Sequence, residues 1–262
     1  TMKEFDKDTV FSDDVLSKIK YSQDNTTMII VAEGVDPLKV EYSAGGLTAT
    51  PFESLSGDGY TAPASVAFFQ NRLWFAGVDG FPTTVLGSKF GDYDEYKYSL
   101  TIASGAQYDD ALNLKSNQLR SKINSIVGGQ NVLYCFSEDG LSFVDGGSNG
   151  TIATNQSIEF NLKNRMPAGE ATPTFKDDVL LYASADGTKL YAVDYDVIVS
   201  RFLVDDVAKY AKDVVNSKIT ELHYVNNESK LIYGLMESYE MFALLYAKGK
   251  YNGFFPMSIQ NG

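Results

Sequence analysis

The sequence predicts an all-β fold, a β-propeller built of short antiparallel blades. Three observations favour this fold. Short β-branched and aromatic runs are bounded by Asn, Asp, Gly and Pro, the chain contains 17 Tyr and 16 Phe, which suit strands, and hairpins recur along it. The hairpins repeat about every 45 to 60 residues, close to the spacing of propeller blades. The alternative is a β-sandwich, whose turns come about every 8 to 12 residues without a longer period.

Five hairpins carry the repeat, and each has a polar step before its first strand and a turn through Gly, Asp or Ser into its second. One four-stranded sheet cannot bury both of its faces alone, so we expect the sheets to stack radially against their neighbours. The predicted strand pairs are 28–31 with 38–42, 73–76 with 83–86, 132–136 with 141–144, 179–182 with 190–193, and 231–235 with 241–246.

Two helices are predicted outside the hairpins. Residues 203–217 form an amphipathic helix inserted between blades, with acidic residues in its first turn. Its apolar side chains at helical spacing are Leu203, Val207, Tyr210, Ala211 and Val214. Residues 1–18 are an N-terminal extension, in which Ser12, Asp13 and Asp14 can cap a short helix that ends near Ile19. We expect a single propeller-like domain over residues 1–262.

The net charge of −12 argues against a protein that holds nucleic acid by neutralising phosphates. The acidity is spread in pairs, at Asp13-Asp14, Asp109-Asp110, Asp177-Asp178 and Asp205-Asp206. The sequence contains no run of 18 or more apolar residues, so we expect no membrane span. The first residues contain no apolar signal region, so we expect no secretory export. The single cysteine, Cys135, lies inside an apolar run and is predicted to be a small core residue.

No catalytic motif is present, and the sequence predicts no catalytic, cofactor-binding or metal-binding residue and no cofactor. His223, the only histidine, is predicted to be a structural strand residue. The segments 137–140 and 184–188 resemble the Asp-box of sialidase propellers but lack its aromatic residue, so we interpret both as hairpin turns. The glycine pairs at 57–59 and 146–147 follow no phosphate-binding pattern. Paired carboxylates for glycoside hydrolysis remain open, because they would come from different blades.

One stretch, residues 65–96, is central to the prediction because it combines two apolar runs with a conspicuous motif. Arg72 precedes the most aromatic strand of the chain. We expect its guanidinium to tie the neighbouring loop to backbone carbonyls or to an acidic residue. The alternative is a turn residue whose side chain is solvated. The order of features is an apolar run, then Arg-Leu-x-Phe-Ala-Gly, a Pro, a strand that ends in Ser, Gly-Asp-Tyr and an aromatic residue.

This order of motifs resembles the nozzle (tail tubular protein B) family of short-tailed phages, which includes phage stabilisation protein-like propellers. The resemblance covers most of the chain. The matching positions are Tyr21, Gln23, Asp24 and Met28, Pro37-Leu38, the segment 69–77, Pro82, Val85, Ser88, Gly91-Asp92-Tyr93, Tyr96, Tyr108 to Ala111, the hairpin 133–147, and the region from Asp205 to Ile219. Two departures are a Phe at Phe254 where the family tends to have Trp after Gly, and the lack of long flanking regions. We therefore expect a fragment or a reduced relative.

The resemblance implies a structural virion component that catalyses no reaction. Such a subunit would sit in a homo-oligomeric ring of the phage tail, contact other tail proteins, and form part of the passage for DNA ejection. It would be assembled in the host cytoplasm, and the DNA would pass without specific binding. An acidic lumen would repel the phosphates. The alternative from another class is a propeller module that binds or cleaves host surface glycans.

Overall fold

The computed structural model describes residues 11, 13–16, 18–55, 59–97, 107–129, 131–147, 150–155, 157–196, 201–226, 230–246 and 253–257. These residues contain one short helix, α1 (Asp13–Leu16), and twenty strands. The strands form five antiparallel sheets, and each sheet consists of four strands that are consecutive in the chain. Four-stranded sheets of sequential strands are the blades of a β-propeller. We number them blades 1 to 5 in chain order.

The chain divides into two compact units, Thr1–Leu162 and Lys163–Gly262. Blades 1 to 3 belong to the first unit, apart from the last two residues of β12. Blade 1 consists of β1 (Lys20–Asp24), β2 (Thr27–Ala32), β3 (Val35–Ser43) and β4 (Gly46–Pro51). Blade 2 consists of β5 (Ser65–Phe69), β6 (Arg72–Val78), β7 (Phe81–Gly87) and β8 (Leu112–Lys115). Blade 3 consists of β9 (Ile123–Gly129), β10 (Val132–Ser137), β11 (Gly140–Asp145) and β12 (Glu159–Asn164).

Blades 4 and 5 belong to the second unit. Blade 4 consists of β13 (Thr174–Lys176), β14 (Val179–Ala183), β15 (Leu190–Asp196) and β16 (Arg201–Asp206). Blade 5 consists of β17 (Ile219–Val225), β18 (Leu231–Met236), β19 (Met241–Leu245) and β20 (Gly253–Met257). A core that includes Leu181, Leu190, Ile219, Ile232 and Phe242 is formed between these two sheets.

The sequence of β6 shows why the sheets stack. Every residue of this strand is buried. Successive side chains of a strand point to opposite faces, so Leu73 and Phe75 enter one core cluster while Trp74 and Ala76 enter another. The first cluster also contains Ile29 of blade 1, and the second contains residues of blade 3. A continuous apolar strand is therefore required, because both faces of blade 2 are covered.

The first strands of successive blades also make polar contacts in the first unit. The hydroxyl of Ser22 accepts a hydrogen bond from the backbone N–H of Phe68 (3.0 Å), and the hydroxyl of Ser65 accepts one from Ile126 (2.9 Å). These two serines join β1 to β5 and β5 to β9. Because a buried N–H without a partner is costly, each serine satisfies a donor that the sheet of its neighbour leaves free.

All five predicted hairpins are confirmed. They correspond to β2–β3, β6–β7, β10–β11, β14–β15 and β18–β19, which are the two middle strands of each blade. The short N-terminal helix is present as α1, although it ends at Leu16, three residues before the predicted end. Residues 1–10 of the expected N-terminal extension lie outside the described residues.

The amphipathic helix predicted at 203–217 is wrong. Residues up to Asp206 belong to β16, which pairs with β15, and the residues that follow form consecutive turns. The carboxylate of Asp206 accepts a hydrogen bond from the backbone N–H of Ala208 (3.1 Å), and this contact stabilises a turn within the predicted helical segment. The helical spacing also misassigned Tyr210, whose side chain is 90% exposed. Tertiary pairing of β16 overrides the local pattern.

Candidate functional site

The side chain of Arg72, at the start of β6, is fully buried and binds three backbone carbonyls. One terminal nitrogen donates to the carbonyl oxygens of Ser88 (2.5 Å) and Asp110 (2.7 Å), and the other donates to that of Tyr108 (3.0 Å). The guanidinium also lies 5.7 Å from the centre of the Phe90 ring. We call these five residues the arginine node. The structure confirms the prediction that Arg72 ties a loop to backbone carbonyls.

Local sequence places Arg72 at the node. The turn between β5 and β6 is Gln70-Asn71, and both residues have positive φ, which is typical of a tight hairpin turn. The side-chain amide of Gln70 donates to the carbonyl of Gly150 (2.7 Å) and accepts from the N–H of Ile152 (2.8 Å). The turn that positions Arg72 is thereby fixed to blade 3.

Burial sets the electrostatics of the node. Loss of water lowers the pKa of Arg72 from its usual value, and the negative potential from Tyr108, Asp109 and Asp110 opposes this effect. The Nε atom of Arg72 is buried and has no hydrogen-bond acceptor among the described residues. A buried charge without compensation would destabilise the fold, so the three carbonyl contacts are what keep this cation in place.

The loop at 88–97 connects the node to blade 1. The hydroxyl of Tyr93 donates to a carboxylate oxygen of Asp24 (2.6 Å), and Lys39 forms an ion pair with Asp94 (3.2 Å). Burial, followed by the hydrogen bond to Asp24, raises the pKa of Tyr93 to about 12. The ring of Tyr93 also packs against Phe68 in β5. The Gly-Asp-Tyr segment therefore joins two blades.

Residues that are far apart in the matched motif converge here. The hydroxyl of Ser88 accepts from the N–H of Leu73 (3.0 Å), and the hydroxyl of Tyr96 donates to the carbonyl of Leu73 (2.9 Å). The N–H of Gly91 donates to the carbonyl of Asn71 (2.8 Å). The motif is therefore one structural unit, and its residues hold loops to β6 and to blade 1.

The turns that resemble an Asp-box are structural. One carboxylate oxygen of Asp139 accepts from the N–H of Arg120 (2.6 Å), the N–H of Ser121 (2.7 Å) and the hydroxyl of Ser121 (2.8 Å). Burial alone would raise the pKa of Asp139, but these hydrogen bonds outweigh it and lower the pKa. Asp186 similarly accepts from the hydroxyl of Ser184 and the N–H of Thr188. The carboxylate of Asp139 therefore accepts hydrogen bonds from the neighbouring segment 120–121, and that of Asp186 accepts them within its own turn.

The other residues considered from sequence lie apart from the node. Cys135 is fully buried in β10, and burial raises the pKa of its thiol, which confirms the prediction of a core residue. His223 is exposed on β17, where its Nε2 lies 3.0 Å from a carboxylate oxygen of Glu221. His223 therefore pairs with a carboxylate on its own strand, at the surface. No group of three or more His, Cys, Asp and Glu in the described ranges has metal-binding geometry.

A shallow groove of about 330 Å³ lies between blade 2 and blade 3. It is lined by residues of β8, of the chain segment after it, of β12 and of the residue before β12, namely Asn113, Leu114, Lys115, Asn117, Gln118, Ile158, Phe160 and Asn161. Four of these side chains are amides, and Gln118 is fixed by accepting from the backbone N–H of Leu162 (2.7 Å). The apolar members pack on the core between the blades. We call this feature the amide groove.

Sequence reasoning missed the amide groove and the contacts of Lys20. The groove residues belong to no motif, and only the fold places 113–118 beside 158–161. The one usable signal is the concentration of amides in Asn113, Asn117 and Gln118. The ammonium group of Lys20 in β1 donates to the carbonyl of Asn124 in β9 (2.5 Å) and so joins blade 1 to blade 3. No local sequence pattern predicts this contact.

Among the residues that the structure describes, no helix has the length and apolar character needed to cross a membrane. No protein-family model and no curated protein matches the chain. Solved structures do match at the level of fold. YCF48 bound to D1 peptide has a TM-score of 0.53 and 9% identity, with 91% of this chain and 67% of that chain covered.

Two further structures agree with this likeness. The Myceliophteria thermophila Cps50 (Swd1) β-propeller domain has a TM-score of 0.52 and 9% identity, over 89% of this chain and 67% of that one. YCF48 from Cyanidioschyzon merolae has a TM-score of 0.52 and 11% identity, over 92% and 71% of the two chains. At these identities the likeness establishes the fold alone. The chain has a β-propeller fold, with five four-stranded blades in the ranges that the structure describes.

Proposed function

We propose that this chain is a structural, non-catalytic propeller of a phage tail nozzle, in which it forms part of the wall of the DNA passage. The observation that carries the proposal is the convergence of the nozzle-like motif on the arginine node. Arg72, Ser88, Tyr96 and Tyr108, matched by their order in the sequence, contact one another or the same strand. A motif that functions in holding loops to a blade suits a subunit whose task is mechanical.

The charge distribution is compatible with this role. The net charge is −12, and in the described acidic pairs the residues Asp177, Asp178 and Asp205 are exposed to solvent. Exposed carboxylates repel phosphate groups, so such a surface would let DNA pass without being retained. The acidic pairs lie mostly outside the first strand of each blade, so we place the proposed DNA-facing surface on turns and strand ends.

The test changes the acidic pairs while leaving the fold intact. The carboxylates of Asp110 and Asp206 accept backbone hydrogen bonds, and Asp177 pairs with the buried Lys176, so the other member of each pair is changed, as Asp109→Lys, Asp178→Lys and Asp205→Lys. The surface ion pairs lost with Asp109 and Asp205 contribute little to stability. Each reversal changes the charge by two, so the net charge becomes about −6.

We expect the unchanged domain to bind duplex DNA no better than an acidic control protein at moderate salt, measured by fluorescence anisotropy. The Lys variant should retain DNA, and this retention should weaken as salt rises, because counterion release then drives binding. Asn at the same three positions is the matched control. Tight, salt-resistant DNA binding by the unchanged domain would contradict the proposal, as would electron micrographs of particles that place the chain away from the tail.

A second candidate function, binding of host surface glycans, is favoured by the amide groove. Amides pair with vicinal hydroxyl groups, and Phe160 offers an apolar face for the C–H side of a sugar ring. The residues that line the groove include no Asp or Glu, so the groove favours binding rather than cleavage. Asn117 is the residue to change, because its side chain is exposed and makes no hydrogen bond to another described residue.

For this second function we expect titration with neutral oligosaccharides to give weak binding that Asn117→Ala removes. Asn226→Ala, an exposed amide in the other unit, should leave it unchanged. Turnover of a capsular or lipopolysaccharide glycan would instead make the chain a glycan-processing enzyme and would overturn the structural proposal. The absence of any oligosaccharide binding would leave the amide groove without this function.

A further inference from the structure

In every blade one residue with positive φ lies in, or directly after, the turn between the second and third strands. It is a glycine in the turns of blades 1, 2 and 4, namely Gly34 (+80°), Gly80 (+73°) and Gly187 (+69°), and in blade 3 it is Gly140 (+131°), the first residue of β11. In blade 5 it is Tyr239 (+63°). Glycine is the usual residue at such positions because it has no Cβ, whereas a bulky residue in this conformation is an outlier.

The backbone of blade 5 does not require a tyrosine. The N–H of Tyr239 donates to the carbonyl of Met236 (2.9 Å), and in blade 4 the N–H of Gly187 donates to the carbonyl of Ser184 (2.8 Å) in the same way. The two turns therefore have equivalent hydrogen bonding, and glycine at residue 239 would adopt the same turn with less strain. Local structure thus gives no reason for the tyrosine.

Packing gives no reason either. The side chain of Tyr239 is 88% exposed, and no described residue makes a hydrogen bond or ring contact with it. Tyr210, in the connection between β16 and β17, is the only large apolar side chain of the described residues that is more exposed. That connection continues into Lys218, whose carbonyl accepts from the N–H of Glu237 in the Tyr239 turn (2.7 Å). Strain that persists without a packing partner indicates a functional role.

We propose that the turn 237–240 is a docking surface for a positively charged segment of another protein, with Tyr239 as its anchor. Tyrosine is enriched at protein interfaces, and the face of its ring attracts Lys and Arg. Glu237 and Glu240 flank Tyr239, and the turn contains no basic residue. The net charge of −12 also draws a cationic partner to the chain.

Tyr210, which is 90% exposed, is less suited to bind a cation of a partner. Its ring lies 5.2 Å from the ammonium group of Lys209, which forms an ion pair with Asp205. The ring of Tyr210 is therefore already beside a cation, whereas that of Tyr239 is free to accept one. The proposal does not depend on whether the chain belongs to a phage tail.

The test uses four variants and a labelled ten-residue peptide rich in Lys and Arg, with an acidic peptide of equal length as the negative control. Tyr239→Phe keeps the ring, whereas Tyr239→Asn and Tyr239→Gly remove it and tolerate positive φ. Tyr42→Ser removes another exposed tyrosine, from blade 1, and is the matched control. Binding is measured at physiological salt, so that long-range attraction to the net charge is screened.

We expect Tyr239→Gly and Tyr239→Asn to bind the basic peptide about tenfold more weakly, while Tyr239→Phe and Tyr42→Ser bind it as the unchanged chain does. Tyr239→Gly should also raise Tm by about 2 to 4 °C, because it relieves the strained turn. Equal binding by the Gly variant overturns the docking surface, and an unchanged or lower Tm overturns the argument from strain. Binding of a neutral oligosaccharide that depends on Tyr239, without binding of the peptide, overturns the class of partner.

Discussion

At the scale of the single residue, Arg72 combines functions that several residues would otherwise share. Its planar guanidinium presents donors in fixed directions, and three of them reach carbonyls from two separate segments. Sequence alone predicted the role of Arg72, because a basic residue before a fully apolar strand needs nearby acceptors. It could not predict which carbonyls are used, since 108–110 reaches the node only through the path of the chain after β7.

Replacing Arg72 by Ala should destabilise the domain by about 3 to 5 kcal/mol, because it leaves buried carbonyls without donors and creates a cavity. Arg72→Lys keeps the charge but not the fork of donors, so its loss should be smaller. Urea unfolding measures both changes. Arg120→Ala, at an exposed arginine, is the control and should change stability by less than about 0.5 kcal/mol. A urea unfolding curve of Arg72→Ala that matches that of the unchanged protein would mean that Arg72 has no structural role.

A second prediction at this scale concerns Asp139 and pH. The pKa of Asp139 is lower in the folded protein than in the unfolded chain, where it is about 3.9. The ionised carboxylate therefore stabilises the fold above about pH 3.9, and this stabilisation is lost as the pH falls through the pKa of the folded state. Asp139→Asn should therefore cost about 1 to 2 kcal/mol at pH 7 and much less near pH 3. Unfolding at both pH values measures this. An equal cost at pH 3 would show that the charge of Asp139 does not contribute.

At the scale of the element, the sequence predicts strands well where both faces are buried. Strands such as β6 and β14 are fully buried and contain uninterrupted apolar runs. The outer strands β4 and β12 are mostly exposed or half-buried and contain polar residues, so no boundary could be drawn for them. The false helix at 203–217 has a related origin, because its first residues, up to Asp206, pair with β15, and the spacing of apolar residues does not show this pairing.

Two glycines around the β6–β7 turn provide a prediction about close packing. A Cβ at Gly77 would lie 2.3 Å from the carbonyl oxygen of Ile123, whereas a Cβ at Gly80 would meet no atom within 4 Å. Both have positive φ. Gly80→Ala should therefore cost about 1 kcal/mol from backbone strain alone, and Gly77→Ala distinctly more, because blade 3 must move. Thermal unfolding compares them. Equal losses would mean that blades 2 and 3 do not pack tightly at this point.

At the scale of the whole molecule, the repeat of about 45 to 60 residues predicted the blades, because each blade repeats the same need to bury two faces. The expectation of a single domain over residues 1–262 stays a prediction. Composition could not predict the amide groove or the Tyr239 turn. The first depends on two segments that meet only after folding, and the second is visible only when the five turns are compared at equal positions.

The burial of Cys135 has a consequence for experiments on this chain. It is the only cysteine of the chain, and it lies on β10, the second strand of blade 3. A thiol reagent needs access to the sulfur and reacts with the thiolate, and burial disfavours both. The rate at which a thiol reagent labels Cys135 therefore measures how often blade 3 opens. If that rate follows global unfolding measured by fluorescence, blade 3 opens only with the rest of the chain. If labelling is faster, blade 3 separates first as an independent foldon.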